Sequence, residues 1–238
     1  MQLSVVVPVC NEAENVVPLA REIHAVLAAY QPSEMIFVDD GSTDGTAAAL
    51  QAARAGGIGG LRVIRHEHRS GQSAAICTGV RAARAEWIAT LDGDGQNDPA
   101  DIPKLLAARQ QDGELRLVNG NRTTRRDTWL RRLSSRIANG VRGWMLGDHT
   151  PDTGCGIKVF HRDTFLDLPR FDHMHRFLPA LFQRAGAKMV SVPVSHRPRQ
   201  RGVSKYGLHN RLWVGIVDLF GVMWLIRRKP PRSGVREE

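Results

Sequence analysis

Two carboxylates and an amide alternate in Leu91-Asp92-Gly93-Asp94-Gly95-Gln96, immediately after the apolar run Trp87-Ile88-Ala89-Thr90. On an extended segment residues i and i+2 project the same way, so Asp92 and Asp94 can reach one hard cation. A divalent ion held by one or two carboxylates, its other positions left to substrate phosphates, is the usual Mg2+ or Mn2+ arrangement. Gly93 and Gly95 leave room for a diphosphate to approach the backbone. The same six residues would also make a surface turn rich in Asp and Gly, so the elements around them must decide.

Those elements alternate. Leu3 to Val9 reads as a buried strand. Asn11-Glu12-Ala13-Glu14 resembles a capping box before a helix over Val16 to Ala29. Met35 to Val38 reads as a second strand, ended by Asp39-Asp40-Gly41-Ser42-Thr43-Asp44-Gly45. A helix follows over Thr46 to Ala55, then a loop over Gly56 to Gly60. Leu61 to Ile64, Gln72 to Ala85 and Trp87 to Leu91 read as strand, helix and strand. This alternation predicts an α/β fold with a mostly parallel sheet flanked by helices, whose ligands bind beyond the carboxyl ends of the strands. Asn11-Glu12, Asp39-Asp40 and Asp92 to Gln96 all fall at such ends, which favours a nucleotide site. Neither a Gly-x-Gly-x-x-Gly nor a Gly-x-x-x-x-Gly-Lys pattern follows the first strand, so metal and basic side chains must handle the phosphates.

The second half is less regular. Val118 to Arg122 reads as a strand, and a basic, partly helical stretch runs from Arg125 to Gly147. Ile157 to Phe160 is an apolar run, Phe177 to Arg184 a helix, Met189 to Val194 a strand and Arg197 to Lys205 a basic loop. Leu212 to Ile226 is apolar except for Asp218 and has basic flanks. As a helix it would rise about 22 Å, short of the roughly 30 Å hydrocarbon core. It suits a helix lying in a membrane interface, or a core helix, with Trp213 and Trp224 as anchors or filler.

At 238 residues with a net charge of +9 the chain attracts phosphorylated ligands, anionic lipid or nucleic acid. Acidic clusters at the strand ends and the lack of a nucleic-acid motif argue against the last. Cys10, Cys77 and Cys155 lack metal-ligand spacing, and an odd count argues against a disulfide framework. The N-terminus has no basic region before its first strand, so no secretory signal is expected and a cytoplasmic setting fits best.

The motifs together resemble the family 2 glycosyltransferases, and within them the polyprenyl-phosphate branch that includes dolichol-phosphate mannosyltransferase. The residues that carry the resemblance are Pro8 to Glu12, Val38 to Asp44, Leu91 to Gln96, Gly120-Asn121-Arg122, Asp152 to Gly156 and Arg201 to Tyr206, in order over about residues 3 to 207. It implies a GT-A-like catalytic domain over 1–208, with 1–120 as the nucleotide-sugar half and 121–208 as the acceptor half. Residues 209–238 would form an interfacial segment. Pro8, Glu12, Val38, Asp39 and Asp40 would line the base and ribose of a UDP- or GDP-sugar. Asp92, Gly93, Asp94 and Gln96 would serve the diphosphate and an Mg2+ or Mn2+ ion, the metal ligands being Asp92, Asp94 and Gln96. Arg122 and Arg131, with Arg132 and Arg136, would bind the phosphate of a polyprenyl phosphate, and Arg201, Ser204 and Lys205 would close over the donor. Cys10 stands where the family often has an aromatic residue, and Cys155 where the branch commonly has serine.

The implied reaction is an inverting, metal-dependent sugar transfer to a polyprenyl phosphate, with Asp92, Asp94, Arg122 and Arg131 as its catalytic residues. Its place would be the inner face of the cell membrane, with a possible integral membrane partner. A phosphate nucleophile is already anionic near neutral pH and needs only cations to position it. The alternative is a hydroxyl acceptor on a glycan or lipid, which would demand a base, for which Asp152 or His175 could serve. Arg132, Arg136 and Arg142 would equally make a solvated helical face, and His161 and His175 read as surface or packing residues before they read as catalysts.

Overall fold

The computed structural model describes residues 2–122, 140, 142–148, 150–198 and 208–228, the last segment as backbone only over 208–213. Seven strands form one sheet: β1 (Leu3–Val9), β2 (Ser33–Asp39), β3 (Leu61–Arg65), β4 (Trp87–Thr90), β5 (Leu115–Arg122), β6 (Lys158–His161) and β7 (Lys188–Val194). Their order is β3-β2-β1-β4-β6-β5-β7. β1 pairs in parallel with both β2 and β4, β2 with β3, and β5 with β7, while β6 runs antiparallel between β4 and β5. The mostly parallel α/β sheet expected from the sequence is therefore present. The chain leaves β1 toward β2 on one side and reaches β4 on the other. The crevice between the ends of β1 and β4 is thus the switch point at which such sheets bind ligands.

The continuous apolar runs follow from burial on both faces. Val5, Val7, Met35 and Phe37 point into one core, beneath α1 (Ala13–Leu27), α2 (Thr46–Ala55) and α4 (Ile102–Gln111). Val6, Ile36, Val38 and Ile88 point into the other, beneath α3 (Gln72–Ala82), α5 (Arg162–Leu166), α6 (Leu178–Arg184) and α7 (Leu208–Arg227). On α1 the buried Val16, Leu19, Ile23 and Leu27 recur at helical spacing, each large side chain contributing about 1.5–3 kcal/mol.

Several boundaries differ from the sequence reading. The capping box does not form: α1 starts at Ala13, with Glu12 at its N-cap and no side-chain cap bond. Asn11 instead takes a left-handed backbone, φ 52°, and its Oδ1 accepts from the Thr43 N–H, tying β1 to the turn after β2. α3 ends at Ala82 because Ala83 is already extended. The stretch 97–117, unassigned from sequence, contains a 3-10 turn (Pro99–Asp101) and α4; the Asp98 carboxylate accepts the Ala100 N–H at the turn's start. α7 is longer than the apolar run that predicts it, extending back to Leu208.

Candidate active site

Each parallel strand delivers its motif to the same edge. Asp39 is fully buried, and its Oδ1 accepts the Ser42 N–H at 3.0 Å while Oδ2 faces the Arg65 guanidinium at 3.4 Å. Asp40 accepts from the backbone N–H groups of Ser70 and Gly71, both at 2.8 Å, and meets the His66 ring at 2.8 Å. Both carboxylates therefore shape the two loops that border the crevice. Gly41, at φ +66°, lets the turn pass the 68–69 backbone, since a Cβ there would fall 2.6 Å from the Arg69 nitrogen. Pro8 lies opposite Val38 in the β1–β2 register. Val38 itself is fully buried against Gly79 and shapes the site from beneath. Glu12 accepts from the Asn15 amide at 2.6 Å at the start of α1.

Asp92 follows β4. The Gln72 amide, in the first turn of α3, donates to its Oδ1 at 2.8 Å, and its own N–H donates to Asn97 Oδ1 at 3.0 Å. Gly93 packs on the end of β1, where a Cβ would lie 2.5 Å from Val9 Cγ1. Gly156 lies against the other side of Asp92: a Cβ there would stand 2.1 Å from Oδ2. Asp94 Oδ1 accepts the backbone N–H of Gln96. Burial, then the neighbouring charge of Asp94, raises the Asp92 carboxyl above its ordinary range. Two hard oxygen donors that repel each other in a confined place suit a divalent cation. No cluster of three or more His, Cys, Asp or Glu that could hold a metal occurs among the described residues. As two hard oxygen donors the pair fits a divalent cation such as Mg2+ or Mn2+.

Arg122, at the end of β5, is held by Asp152 in a bidentate fork, Nε to Oδ2 at 2.7 Å and Nη2 to Oδ1 at 2.8 Å. Burial opposes its charge, but that carboxylate more than compensates and holds its pKa above the ordinary value. Arg142 is neither a solvated face nor a phosphate ligand. It is buried, donating to Thr153 Oγ1 and to the Thr150 carbonyl, and so anchors the turn that carries Asp152.

A cavity of about 260 Å³ opens beside Asp92, lined by Gln72, Gly154, Gly156, Lys158, His175 and Arg176 among others. Lys158 sits in the apolar run of β6, opposite Thr90, with its ammonium on the Cys155 carbonyl. Burial lowers its pKa. His175 rests on Ser73, with Nδ1 2.7 Å from Oγ, and burial followed by the nearby Arg176 lowers its pKa to about 3. His161 is a packing residue, edge-on to Trp87. Sequence reasoning missed Gln72 and Lys158. A lysine inside a buried strand was the available signal for the second.

Arg131, Arg132, Arg136, Arg201, Ser204 and Lys205 lie outside the described residues. The chain leading to the last three does not. The Arg197 N–H donates to the Gln96 carbonyl, and its guanidinium meets Asp98 at 2.7 Å and Glu22 at 2.6 Å. Ser195 N–H donates to Asp101 at 2.6 Å. Arg197 thus sits beside the Asp94–Gln96 segment.

α7 packs on the body through the buried Val222 and through Leu219, Met223 and Ile226, and Asp218 meets His173 at 3.1 Å. Its other face leaves Val214, Val217, Phe220 and Trp224 exposed. No helix among the described residues is long and apolar enough to cross a membrane.

Comparison with known proteins bears out the resemblance drawn from the motifs. The family model described as glycosyl transferase family 2 matches residues 4–168. The chain is 37% identical over 235 residues to a dodecaprenyl-phosphate galacturonate synthase of Rhizobium johnstonii, covering 96% of this chain and 68% of that protein. It is 33% identical over 208 residues to an undecaprenyl-phosphate 4-deoxy-4-formamido-L-arabinose transferase of Edwardsiella ictaluri, covering 87% and 63%. The chain thus spans about two thirds of the length of these relatives. In fold it is similar to glucosyl-3-phosphoglycerate synthase from Mycobacterium tuberculosis, solved with Mn2+, uridine diphosphate and phosphoglyceric acid (TM-score 0.71, 19% identity, 97% of this chain and 80% of that one).

Proposed function

We propose, from the premise that this chain belongs to glycosyl transferase family 2 and is a glycosyltransferase, that it moves a sugar from a nucleotide-sugar to a polyprenyl phosphate at a membrane surface. One observation carries the choice of acceptor. Among the described residues, the two that the sequence offered as a base for a hydroxyl acceptor are both ill suited to that task. Asp152 is locked in the Arg122 fork, and His175, with a pKa of about 3, is a poor proton acceptor near neutrality. A phosphate nucleophile needs no base, and the names of the relatives agree.

In this reading residues 1–120 hold the donor and 121–208 the acceptor. Pro8, Glu12, Val38, Asp39 and Asp40 form the walls and loops around the nucleoside, and Asp92, Asp94 and Gln96 would hold the metal ion, the Gln96 backbone N–H also bonding Asp94. A bound Mg2+ or Mn2+ would offset charge on the departing nucleoside diphosphate. Arg122, kept charged and rigid by Asp152, orients the acceptor phosphate, joined by Arg131, Arg132 and Arg136. Arg201, Ser204 and Lys205 follow Arg197 in the sequence and would hydrogen-bond the donor's phosphates. Direct displacement inverts the anomeric centre. The exposed face of α7, with Arg227 and Arg228 at its end, supports docking on anionic lipid, which would place the protein peripherally on the inner leaflet.

The test is Arg122→Ala. The Michaelis constant for undecaprenyl phosphate should rise at least about tenfold while donor affinity stays within about twofold. Equal loss of donor and acceptor binding would refute the assigned role.

A further inference from the structure

The inner wall of the cavity beside Asp92 carries more positive charge than a neutral sugar can use. Lys158 is 4% exposed and its ammonium donates to a carbonyl, not to a carboxylate hydrogen-bond partner. Arg176, on the 3-10 turn Met174–Arg176, lines the same space, and its guanidinium meets no carboxylate among the described residues. His175 lines the same cavity and is held by Ser73, whose Oγ accepts its backbone N–H at 3.2 Å and lies 2.7 Å from its Nδ1. Against these stands Asp92, which accepts from Gln72 and faces the metal position.

Asp92 is the one carboxylate among the described residues lining this cavity and it attracts Lys158; with that charge given to a metal ion, the two cations gain from a ligand that brings a second anion. In the function proposed above the donor diphosphate sits with Asp92 and Asp94, of which Asp92 lines this cavity. The sugar on that diphosphate would then enter the cavity, whose volume of about 260 Å³ admits a single monosaccharide. We propose, resting on the function above, that the transferred sugar is a hexuronic acid whose carboxylate is held by Arg176, with His175 and Lys158 beside it. An Arg–carboxylate pair is the strongest and most orienting contact available there. The Rhizobium relative is named for a uronate, whereas the relative at 33% identity is named for an uncharged formamido-pentose.

The experiment supplies purified protein, Mn2+ and undecaprenyl phosphate with two matched donor pairs: UDP-galacturonate against UDP-galactose, and UDP-glucuronate against UDP-glucose. In at least one pair the uronate should be used with a kcat/KM at least about tenfold above its neutral partner. Arg176→Gln should lose at least about tenfold on the uronate and less than about threefold on the neutral sugar, with Arg176→Lys intermediate. Preference for the neutral sugar in both pairs would overturn the inference and leave the transferase reading standing. So would an Arg176→Gln variant that raises the Michaelis constant for the lipid equally with either sugar, because Arg176 would then serve the acceptor phosphate. Lipid-linked product from none of the four donors but from another nucleotide-sugar would overturn this inference alone, and product from no donor of a UDP- and GDP-sugar panel would overturn the proposed function with it.

Discussion

Substituting Gly156 by alanine puts the architecture of the acidic centre under direct test. The added Cβ would lie 2.1 Å from Asp92 Oδ2, 2.3 Å from its Cγ and 2.5 Å from Asn97 Oδ1. The first is about 1.3 Å short of the 3.4 Å at which ordinary contact begins. Asp92 cannot simply turn aside, because Gln72 holds its Oδ1 and Asn97 holds its backbone N–H. Overpacking of this kind costs about 1–3 kcal/mol, and losing the Gln72 bond to a charged carboxylate would cost about 1.5–3 kcal/mol. Urea unfolding should therefore show Gly156→Ala less stable by about 1–3 kcal/mol. Calorimetry should show Mn2+-dependent UDP binding at least about tenfold weaker, since 1.4 kcal/mol corresponds to a factor of ten. Gly113→Ala is the control: a Cβ there meets no atom within 4 Å, so stability should stay within about 0.5 kcal/mol. A Gly156→Ala protein with unchanged stability and unchanged Mn2+-dependent binding would refute the close approach of the 156 backbone to a metal-binding carboxylate.

Asp40→Ala strands the Ser70 and Gly71 N–H groups and should cost about 3 kcal/mol in denaturant unfolding, with a loss below about 1 kcal/mol contradicting the loop-holding role. His175 is lowered from 6.5 to about 3, so its stabilising effect is full above pH 6.5 and declines as pH falls toward about 3. His175→Gln should flatten that decline, and identical pH dependence in the two proteins would count against a buried neutral ring. Phe220→Ser with Trp224→Ser should weaken binding to anionic vesicles several-fold without changing thermal stability by more than a few degrees, because both side chains are exposed. Deleting the whole helix is the poorer experiment, since Val222 is buried and its neighbours pack on the core. Unaltered vesicle binding by the double variant would remove this face from the account.

The parallel half of the sheet was legible because its strands are buried on both faces: runs such as Ser4-Val5-Val6-Val7-Pro8 admit little else. The acidic motifs were legible as a set because α/β alternation places every strand end at one edge. Four features were not. The reversal of β6 and its insertion between β4 and β5 depend on long-range pairing, and no local pattern in Lys158–His161 encodes direction. Asp39 and Asp40 read as ligand-facing carboxylates, yet their bonds go to Ser42, Ser70, Gly71 and His66, because a buried turn must satisfy its own backbone first. Arg142 read as one more basic helix residue, and only the tertiary fold shows it reaching Thr150 and Thr153. The wall of Lys158, His175 and Arg176 gathers from β6 and a 3-10 turn, and no motif spacing could have joined them.

The central claim is tested most directly by incubating the purified chain with Mn2+ or Mg2+, undecaprenyl phosphate and a panel of UDP- and GDP-sugars, then reading the lipid fraction by mass spectrometry before and after mild acid. The account predicts a glycosylated lipid phosphate that mild acid cleaves to free sugar and undecaprenyl phosphate. Consumption of a donor with the lipid phosphate left unglycosylated would contradict it.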